Sequence, residues 1–283
     1  MKLRILEEKE DSIKILLEET EPAYANAIRR AVLADVPRMA IDDVEFHLGP
    51  IRAEDGKEYE SVAPLFDEII AHRLGLVPIP TELGLYNRRE SCPTCHGEGC
   101  PSCTIIYSLN KRGPGIVTSG DLEPIGDAKL RPKDPHIPIV KLGDGQAILV
   151  YATAVLGTGK EHAKWQAATG VGYRYYPTLK AGTKSLDPFD PNTSYCASHM
   201  ETSAPEETTV KLSSDCRQCK KFMDTHKVES VKVGTDPTRI LLQFETDGSL
   251  KAIEVLRTAL DIVAKRFTEI ADQVEALAAE AAA

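Results

Sequence analysis

Alternating hydrophobic and polar residues open the chain and predict a β-hairpin. The pattern occurs twice, first at Leu3 and Ile5 and then at Ile13, Ile15 and Leu17. A period of two places every second side chain on the same face of a strand. The polar residues 7–11 lie between the two patterns and supply the turn of the hairpin.

The residues after this hairpin predict an amphipathic helix. Thr20 is suited to cap the helix, and Pro22 is suited to its first turn. Apolar side chains then recur at the i, i+3, i+4, i+7 spacing of a buried stripe, at Tyr24, Ala27, Ile28 and Ala31. Pro37 ends the helix, because the residue before a proline disfavours the α conformation.

The same order of elements recurs near the other end of the chain. Alternation at Val228, Val231 and Val233 and again at Ile240, Leu242 and Phe244 predicts two more strands. A turn is expected between them over residues 234–237, and residues 247–249 should start a helix. Strand, strand and helix at both ends predict one discontinuous α+β domain, formed by residues 1–46 and 227–283.

The C-terminal helix has a heptad pattern over residues 249–277, without glycine or proline after Ser249. Its apolar residues are Ile253, Leu256, Leu260, Val263, Phe267, Ile270, Val274 and Leu277. At 1.5 Å per residue the helix would be ~40 Å long, which exceeds what a small domain can cover. We therefore expect part of this apolar face to bind a partner. The alternative is a helix that lies wholly across its own sheet.

Glycines and prolines mark turns in the region between the two ends, which predicts a strand-rich insert domain over residues 47–176. Within it, residues 143–145 form a turn into a buried strand. The segment Gly157-Thr-Gly-Lys-Glu-His-Ala-Lys-Trp165 is not a phosphate-binding loop. That motif requires a glycine where Ala154 stands and a hydroxyl residue where Glu161 stands.

Composition and charge exclude several classes of protein. The 283 residues have a formal net charge of -9, which argues against direct, sequence-specific binding of nucleic acid. No apolar run approaches the ~18 residues of a membrane span, and no signal peptide is evident. Seven cysteines, six of them in closely spaced groups, favour metal binding in a reducing compartment over disulfides. A cytoplasmic location is expected.

The first cysteine group predicts a structural zinc site. Cys92, Cys95, Cys100 and Cys103 form two Cys-x-x-Cys pairs separated by four residues. Four thiolates complete a tetrahedral zinc site and leave no position open for substrate. Gly97 and Gly99 allow the short connection to turn.

Five segments of the sequence resemble the D subunit family of archaeal RNA polymerase. They are Asn-Ala-Ile-Arg-Arg at 26–30, residues 37–46, residues 67–78, the Gly-x-Gly-Lys segment at 157–165, and Gly-Tyr-Arg-Tyr-Tyr-Pro at 172–177. The resemblance covers most of the chain and extends to a eukaryotic counterpart and, more distantly, to bacterial alpha. Eukaryotic members have a similar compact zinc-binding cysteine cluster.

This resemblance implies a non-catalytic subunit on which DNA-directed RNA polymerase assembles for transcription. The chain would form a heterodimer with subunit L, and the pair would recruit subunits N and P and the second-largest catalytic subunit. The expected dimer interface comprises Ile28, Ile253, Leu256, Leu260, Val263, Phe267 and Ile270. The Asp-x-Asp-x-Asp cluster that binds catalytic magnesium does not occur, so no catalytic residue is expected here.

The second cysteine group, Cys196, Cys216 and Cys219, leaves its metal open. Archaeal members of the family can carry an iron–sulfur cluster in a ferredoxin-like insert, expected here at residues 177–226. Phe222 stands where the fourth thiolate of such a cluster belongs, so a three-iron cluster fits better than a four-iron one. Alternatively, His199 or His226 completes a zinc site, or the cysteines are free.

Two other functions remain open at this point. The second cysteine group is compatible with an iron–sulfur electron-transfer protein. The sequence around Cys95 and Gly99 is similar to the repeat of Hsp40 chaperones, which suggests a zinc-dependent chaperone. Neither function explains the repeated order of elements at the two ends or the heptad pattern.

Overall fold

A computed structural model describes residues 1–52, 56–190, 193, 196–200 and 207–282, with side chains described to residue 279. Its strands in chain order are β1 (Lys2–Glu8), β2 (Ser12–Glu18), β3 (Pro37–Phe46), β4 (Pro50–Arg52), β5 (Glu58–Glu60), β6 (Thr104–Arg112), β7 (Gly115–Thr118), β8 (Leu122–Pro124), β9 (Pro138–Leu142), β10 (Ala147–Thr158), β11 (Ala168–Ala181), β12 (Lys184–Leu186), β13 (Thr208–Lys211) and β14 (Ser230–Thr246). The helices are α1 (Pro22–Ala34), α2 (Asp67–Gly75), α3 (Ala197–Met200), α4 (Arg217–His226) and α5 (Ala252–Ala282). The predicted α+β class is confirmed.

The chain divides into two compact units. The first contains residues 1–7, 13–29 and 172–243, and the second contains residues 8–12, 30–171 and 244–283. Each unit combines segments that lie far apart in the chain, and residues 244–283 belong to the second unit. The domain boundaries proposed from the sequence, at residues 46, 176 and 226, remain predictions.

A sheet with the strand order β1-β2-β14-β11-β12 organises the first unit, and β13 pairs with β14. Leu16, Tyr176 and Leu241 are buried together, with Phe189 packed against them. The cysteine-bearing insert has a core of its own, which includes Leu179, Met200, Phe222, Val231 and Val233.

The second unit contains a sheet with the order β3-β10-β6-β8. Strand β10 lies between β3 and β6 and is antiparallel to both, with Val150 opposite Phe46 and Leu109. Its buried face joins one core with α2, from which Ile70 and Leu74 are fully buried. Strand β10 follows the predicted turn at 143–145, so that part of the sequence prediction is confirmed.

The turn predicted over residues 234–237 is wrong, because β14 runs continuously through it. Gly234 has another role there: a Cβ atom at this position would lie 3.2 Å from Thr178 Oγ1. The glycine therefore marks a close approach between neighbouring segments, which is the other common reason for glycine within a strand. Asp236 accepts a hydrogen bond from Thr238 N at 2.9 Å, immediately after Pro237.

Helix α1 forms as predicted, but two details of its prediction are wrong. Tyr24 is half exposed, and the buried residues are Ala25, Ile28, Ala31 and Val32. The buried stripe is thus rotated by about one residue. The Thr20 hydroxyl is buried and has no hydrogen-bond partner among the described residues, so it does not cap the helix.

A buried ion pair fixes the start of α5. Arg38, on β3, is 3% exposed and donates to Asp247 and, over 3.1 Å, to the Gln166 carbonyl. The other carboxylate oxygen of Asp247 accepts from Ser249 N at 3.1 Å and from Ser249 Oγ at 2.6 Å. The helix begins at Ala252, three residues after the predicted start.

Replacing Asp247 by alanine should destabilise the second unit by ~3 kcal/mol. Removing one partner of a buried pair leaves an uncompensated charge, and the partial exposure of Asp247 places the effect at the lower end of the usual ~3–5 kcal/mol. Chemical denaturation measures the change. Glu123→Ala is the control, because its ion pair with Arg131 is exposed and should contribute less than ~1 kcal/mol. Equal effects of the two substitutions would contradict the prediction.

The Gly157-x-Gly-Lys segment joins the end of β10 to the end of α1 by close packing. A Cβ at Gly157 would lie 2.4 Å from the Trp165 ring, and one at Gly159 would lie 2.3 Å from the Leu33 carbonyl oxygen. Lys160 N donates to the Ala34 carbonyl at 2.9 Å. These glycines permit close contact within the fold, in agreement with the rejection of a phosphate-binding loop.

Gly159→Ala should therefore lower the free energy of unfolding by ~1–3 kcal/mol, the usual effect of overpacking. The backbone carbonyl that it meets cannot rotate away as a flexible side chain can. Gly115→Ala is a matched control, because a Cβ at Gly115 meets nothing within 4 Å. Thermal unfolding should show a lower midpoint for Gly159→Ala and little change for Gly115→Ala.

Candidate metal centres

The first cysteine group converges as its spacing predicts. The ligand atoms of Cys92, Cys95, Cys100 and Cys103 all lie within 4.8 Å of one another. Individual Sγ–Sγ distances are 3.7 Å for Cys92–Cys100, 3.5 Å for Cys95–Cys103 and 3.8 Å for Cys100–Cys103. Zn–S bonds of ~2.3 Å in a tetrahedron place two sulfurs ~3.8 Å apart. The group could hold one metal ion.

Local backbone geometry produces this convergence. Gly97 and Gly99 have φ angles of +102° and +101°, in the left-handed region that glycine adopts without strain. The second pair leads directly into β6, which begins at Thr104. Of residues 87–103, all of which the structure describes, only Cys92 and Cys103 are buried. This segment therefore has almost no apolar core of its own.

Arg89 supports the cysteine loop, a role that sequence reasoning missed. Its guanidinium donates to the Gly97 carbonyl at 3.1 Å and to the Glu98 carbonyl at 3.4 Å. It also contacts the Asp43 carboxylate on β3 at 3.2 Å. No motif in the sequence indicates these contacts of Arg89. Its role becomes visible only in the folded loop.

The surroundings shift the thiol pKa values in opposite directions. Backbone N–H groups of Cys95 and Thr94 donate to the Cys92 sulfur and lower its pKa to about 6. Burial raises the pKa of Cys103 to about 12. A divalent cation would stabilise all four residues as thiolates, since a coordinating thiol is deprotonated.

The second cysteine group also converges, and it includes a histidine. Cys196, Cys216 and Cys219 meet His199, with all four ligand atoms within 4.8 Å of one another. Cys196 and His199 come from α3 and the residue before it, while Cys216 and Cys219 lie at the start of α4. His226, the other histidine considered from the sequence, packs against Phe222 with ring centroids 4.3 Å apart.

The expected interface residues are distributed unevenly along α5. Ile28 and Leu256 are buried within the chain itself, each 3% exposed, so their side chains already have apolar surroundings. Ile253, Leu260 and Val263 are partly buried. Phe267 and Ile270 are 57% and 56% exposed. The C-terminal half of this face is therefore its most exposed part.

Residues 51–172 match the family described as the RNA polymerase Rpb3/RpoA insert domain. The chain is 43% identical to DNA-directed RNA polymerase subunit Rpo3 of Picrophilus torridus over 96% of this chain and 99% of that protein. The Rpo3 subunits of Thermoplasma volcanium and Pyrococcus furiosus are 41% and 33% identical, over 94% and 98% of this chain and 97% and 98% of those proteins. The chain belongs to the Rpo3 family.

Rpo3 is equivalent to the archaeal D subunit, so the resemblance drawn from the sequence is confirmed. The relatives are components of DNA-directed RNA polymerase, and they give no support to an electron-transfer protein or a chaperone. The matched insert, 51–172, lies within the range of 47–176 expected from the sequence. Among the described residues, no helix is both long and apolar enough to cross a membrane.

Proposed function

We propose that this chain is a non-catalytic assembly subunit of DNA-directed RNA polymerase that pairs with subunit L through the C-terminal half of α5. The exposed apolar face of this helix carries the proposal. By resemblance, the pair would then bind subunits N and P and the second-largest catalytic subunit. Contact with nucleic acid would be left mainly to those partners, in keeping with the net charge of -9.

The two halves of α5 differ in their surroundings. Ala252, Val255, Leu256 and Ala259 are buried in the chain's own fold. From residue 261 to residue 279, all within the described part of the chain, no side chain is buried. The helix nevertheless continues to Ala282, and its total length of 31 residues corresponds to ~46 Å.

The exposed half is apolar on one side only. Phe267, Ile270, Val274 and Leu277 are each more than half exposed and continue the heptad pattern of the buried half. Contiguous exposed apolar surface of this kind usually marks a protein interface. Arg266 donates to Asp35 at 2.7 Å, which attaches the first exposed turn to the end of α1. The apolar face is therefore presented on a helix with a fixed base.

Within the same proposal, the first cysteine group holds a structural zinc ion. Its sulfur separations match a single tetrahedral ion, and four protein ligands leave no coordination position for catalysis. The metal would order residues 87–103 as one surface of the insert domain.

Co-expression with subunit L from the same genome tests the pairing. Size-exclusion chromatography with light scattering should show a one-to-one complex that survives purification. A chain that stays monomeric beside folded subunit L would overturn the proposal, and a purified complex that lacks the L subunit but contains the other subunits would overturn the order of assembly.

A further inference from the structure

We propose that Cys196, His199, Cys216 and Cys219 bind a single zinc ion, with His199 Nδ1 as the fourth ligand, and do not hold an iron–sulfur cluster. Its four residues belong to the cysteine-bearing insert and do not include any residue of α5. A single zinc ion replaces the three-iron cluster that three cysteines alone suggested.

The separations between the ligand atoms support one shared ion. His199 Nδ1 lies 3.1 Å from Cys196 Sγ and 3.5 Å from Cys219 Sγ, and Cys196 Sγ lies 3.7 Å from Cys216 Sγ. A tetrahedral zinc ion with Zn–S bonds of ~2.3 Å and a Zn–N bond of ~2.0–2.1 Å requires ~3.8 Å between sulfurs and ~3.5 Å between sulfur and nitrogen. The observed distances are close to both values.

The same distances do not fit a cluster. In three-iron and four-iron clusters each thiolate binds a different iron atom and points away from the cluster centre, so the thiolate sulfurs stand well apart. A two-iron cluster would divide the four ligands into two separated pairs. Here all four ligand atoms lie within 4.8 Å of one another, which leaves no room between them for several irons and bridging sulfides.

The position expected to carry the fourth cysteine does not supply a ligand here. Phe222 stands at that position, and its side chain is fully buried in the core of the insert. The site is completed from α3 instead, one turn after Cys196, by the exposed imidazole of His199. Cys196 and Cys219 are buried beneath it, so His199 closes the site on its solvent side.

The donor set selects the metal. Three thiolates and one imidazole in tetrahedral positions are typical of structural zinc, and no position is left for water or substrate. An ion bound here would join α3 to the start of α4. We therefore assign the site a structural role in the insert.

Zinc content of the full-length chain, purified with subunit L, tests the assignment. The native chain should contain two zinc ions, one in each group, after correction for zinc bound by L alone. His199→Ala and Cys216→Ala should each lose one zinc ion, whereas His199→Cys should retain it because a thiolate can replace the imidazole. His226→Gln, a histidine of the same insert outside the ligand group, is the matched control and should retain both ions.

Cobalt substitution and anaerobic reconstitution distinguish the remaining outcomes. Cobalt in the native chain should give the absorption of a tetrahedral thiolate site, and this spectrum should shift in His199→Cys. After anaerobic treatment with iron and sulfide, the chain should contain no acid-labile sulfide, and Phe222→Cys should lower the melting temperature without adding iron. Stoichiometric iron and sulfide in the native chain would overturn the proposal, as would a zinc content that His199→Ala leaves unchanged.

Discussion

The Phe267→Asp chain should fold normally and fail to form a stable complex with subunit L. Phe267 is 57% exposed in the isolated chain, so a charge at this position does not enter the chain's own core. In a complex, the lost apolar contact would weaken binding by ~1.5–3 kcal/mol, and a desolvated carboxylate would weaken it further. Since ~1.4 kcal/mol corresponds to a tenfold change, the affinity should fall at least ~100-fold.

Ala276→Asp is the matched control for this substitution. Ala276 is exposed on the same helix and lies nine residues after Phe267, which is two and a half turns and places it on the opposite side. It should bind subunit L like the native chain. Circular dichroism and the melting temperature establish that both variants are folded, and titration calorimetry measures binding. Equal affinities for Phe267→Asp and Ala276→Asp would show that this face of α5 is not the interface.

Removing the first metal centre should unfold residues 87–103 while the C-terminal helix keeps its partner. In Cys95→Ala/Cys100→Ala two ligands are lost, and only two side chains of this segment are buried to support it otherwise. Structural zinc contributes ~10–16 kcal/mol of apparent binding energy in isolated zinc fingers, so its loss exceeds what Arg89 and its hydrogen bonds can offset.

Metal analysis, hydrogen exchange and binding to subunit L measure this result. The double variant should lose one zinc ion, exchange the backbone amides of residues 87–103 rapidly, and still bind L. Ser102→Ala changes a residue between two of the ligands without removing one, and it should behave like the native chain. A double variant with unchanged zinc content, or with protected amides in this segment, would falsify the assignment of a structural zinc site.

The sequence alone was sufficient to predict features that depend on residues close together in the chain. The Cys-x-x-Cys spacing brings two sulfurs together within one turn, so the convergence of the four sulfurs could be predicted from residues 92–103. The heptad pattern of α5 likewise follows from the 3.6-residue period of a helix, and the sequence predicted its length to within a few residues. The repeated order of strands and helix at the two ends held only in part, because β14 is one continuous strand where the pattern predicted two.

Tertiary structure decided what depends on distant residues. From the sequence, Gly234 indicates a turn, and only the fold shows that it allows a close approach to Thr178. Likewise, the sequence offers His199 and His226 equally as metal ligands, and only the packing of α3 and α4 brings His199 to the three cysteines. Which half of α5 is buried depends on where the chain's own core ends, and the heptad pattern is the same on both sides of that point. The sequence thus determined which residues could bind a metal or a partner. The fold determined which of them meet, because the distances between segments far apart in the chain are set by packing and not by local periodicity.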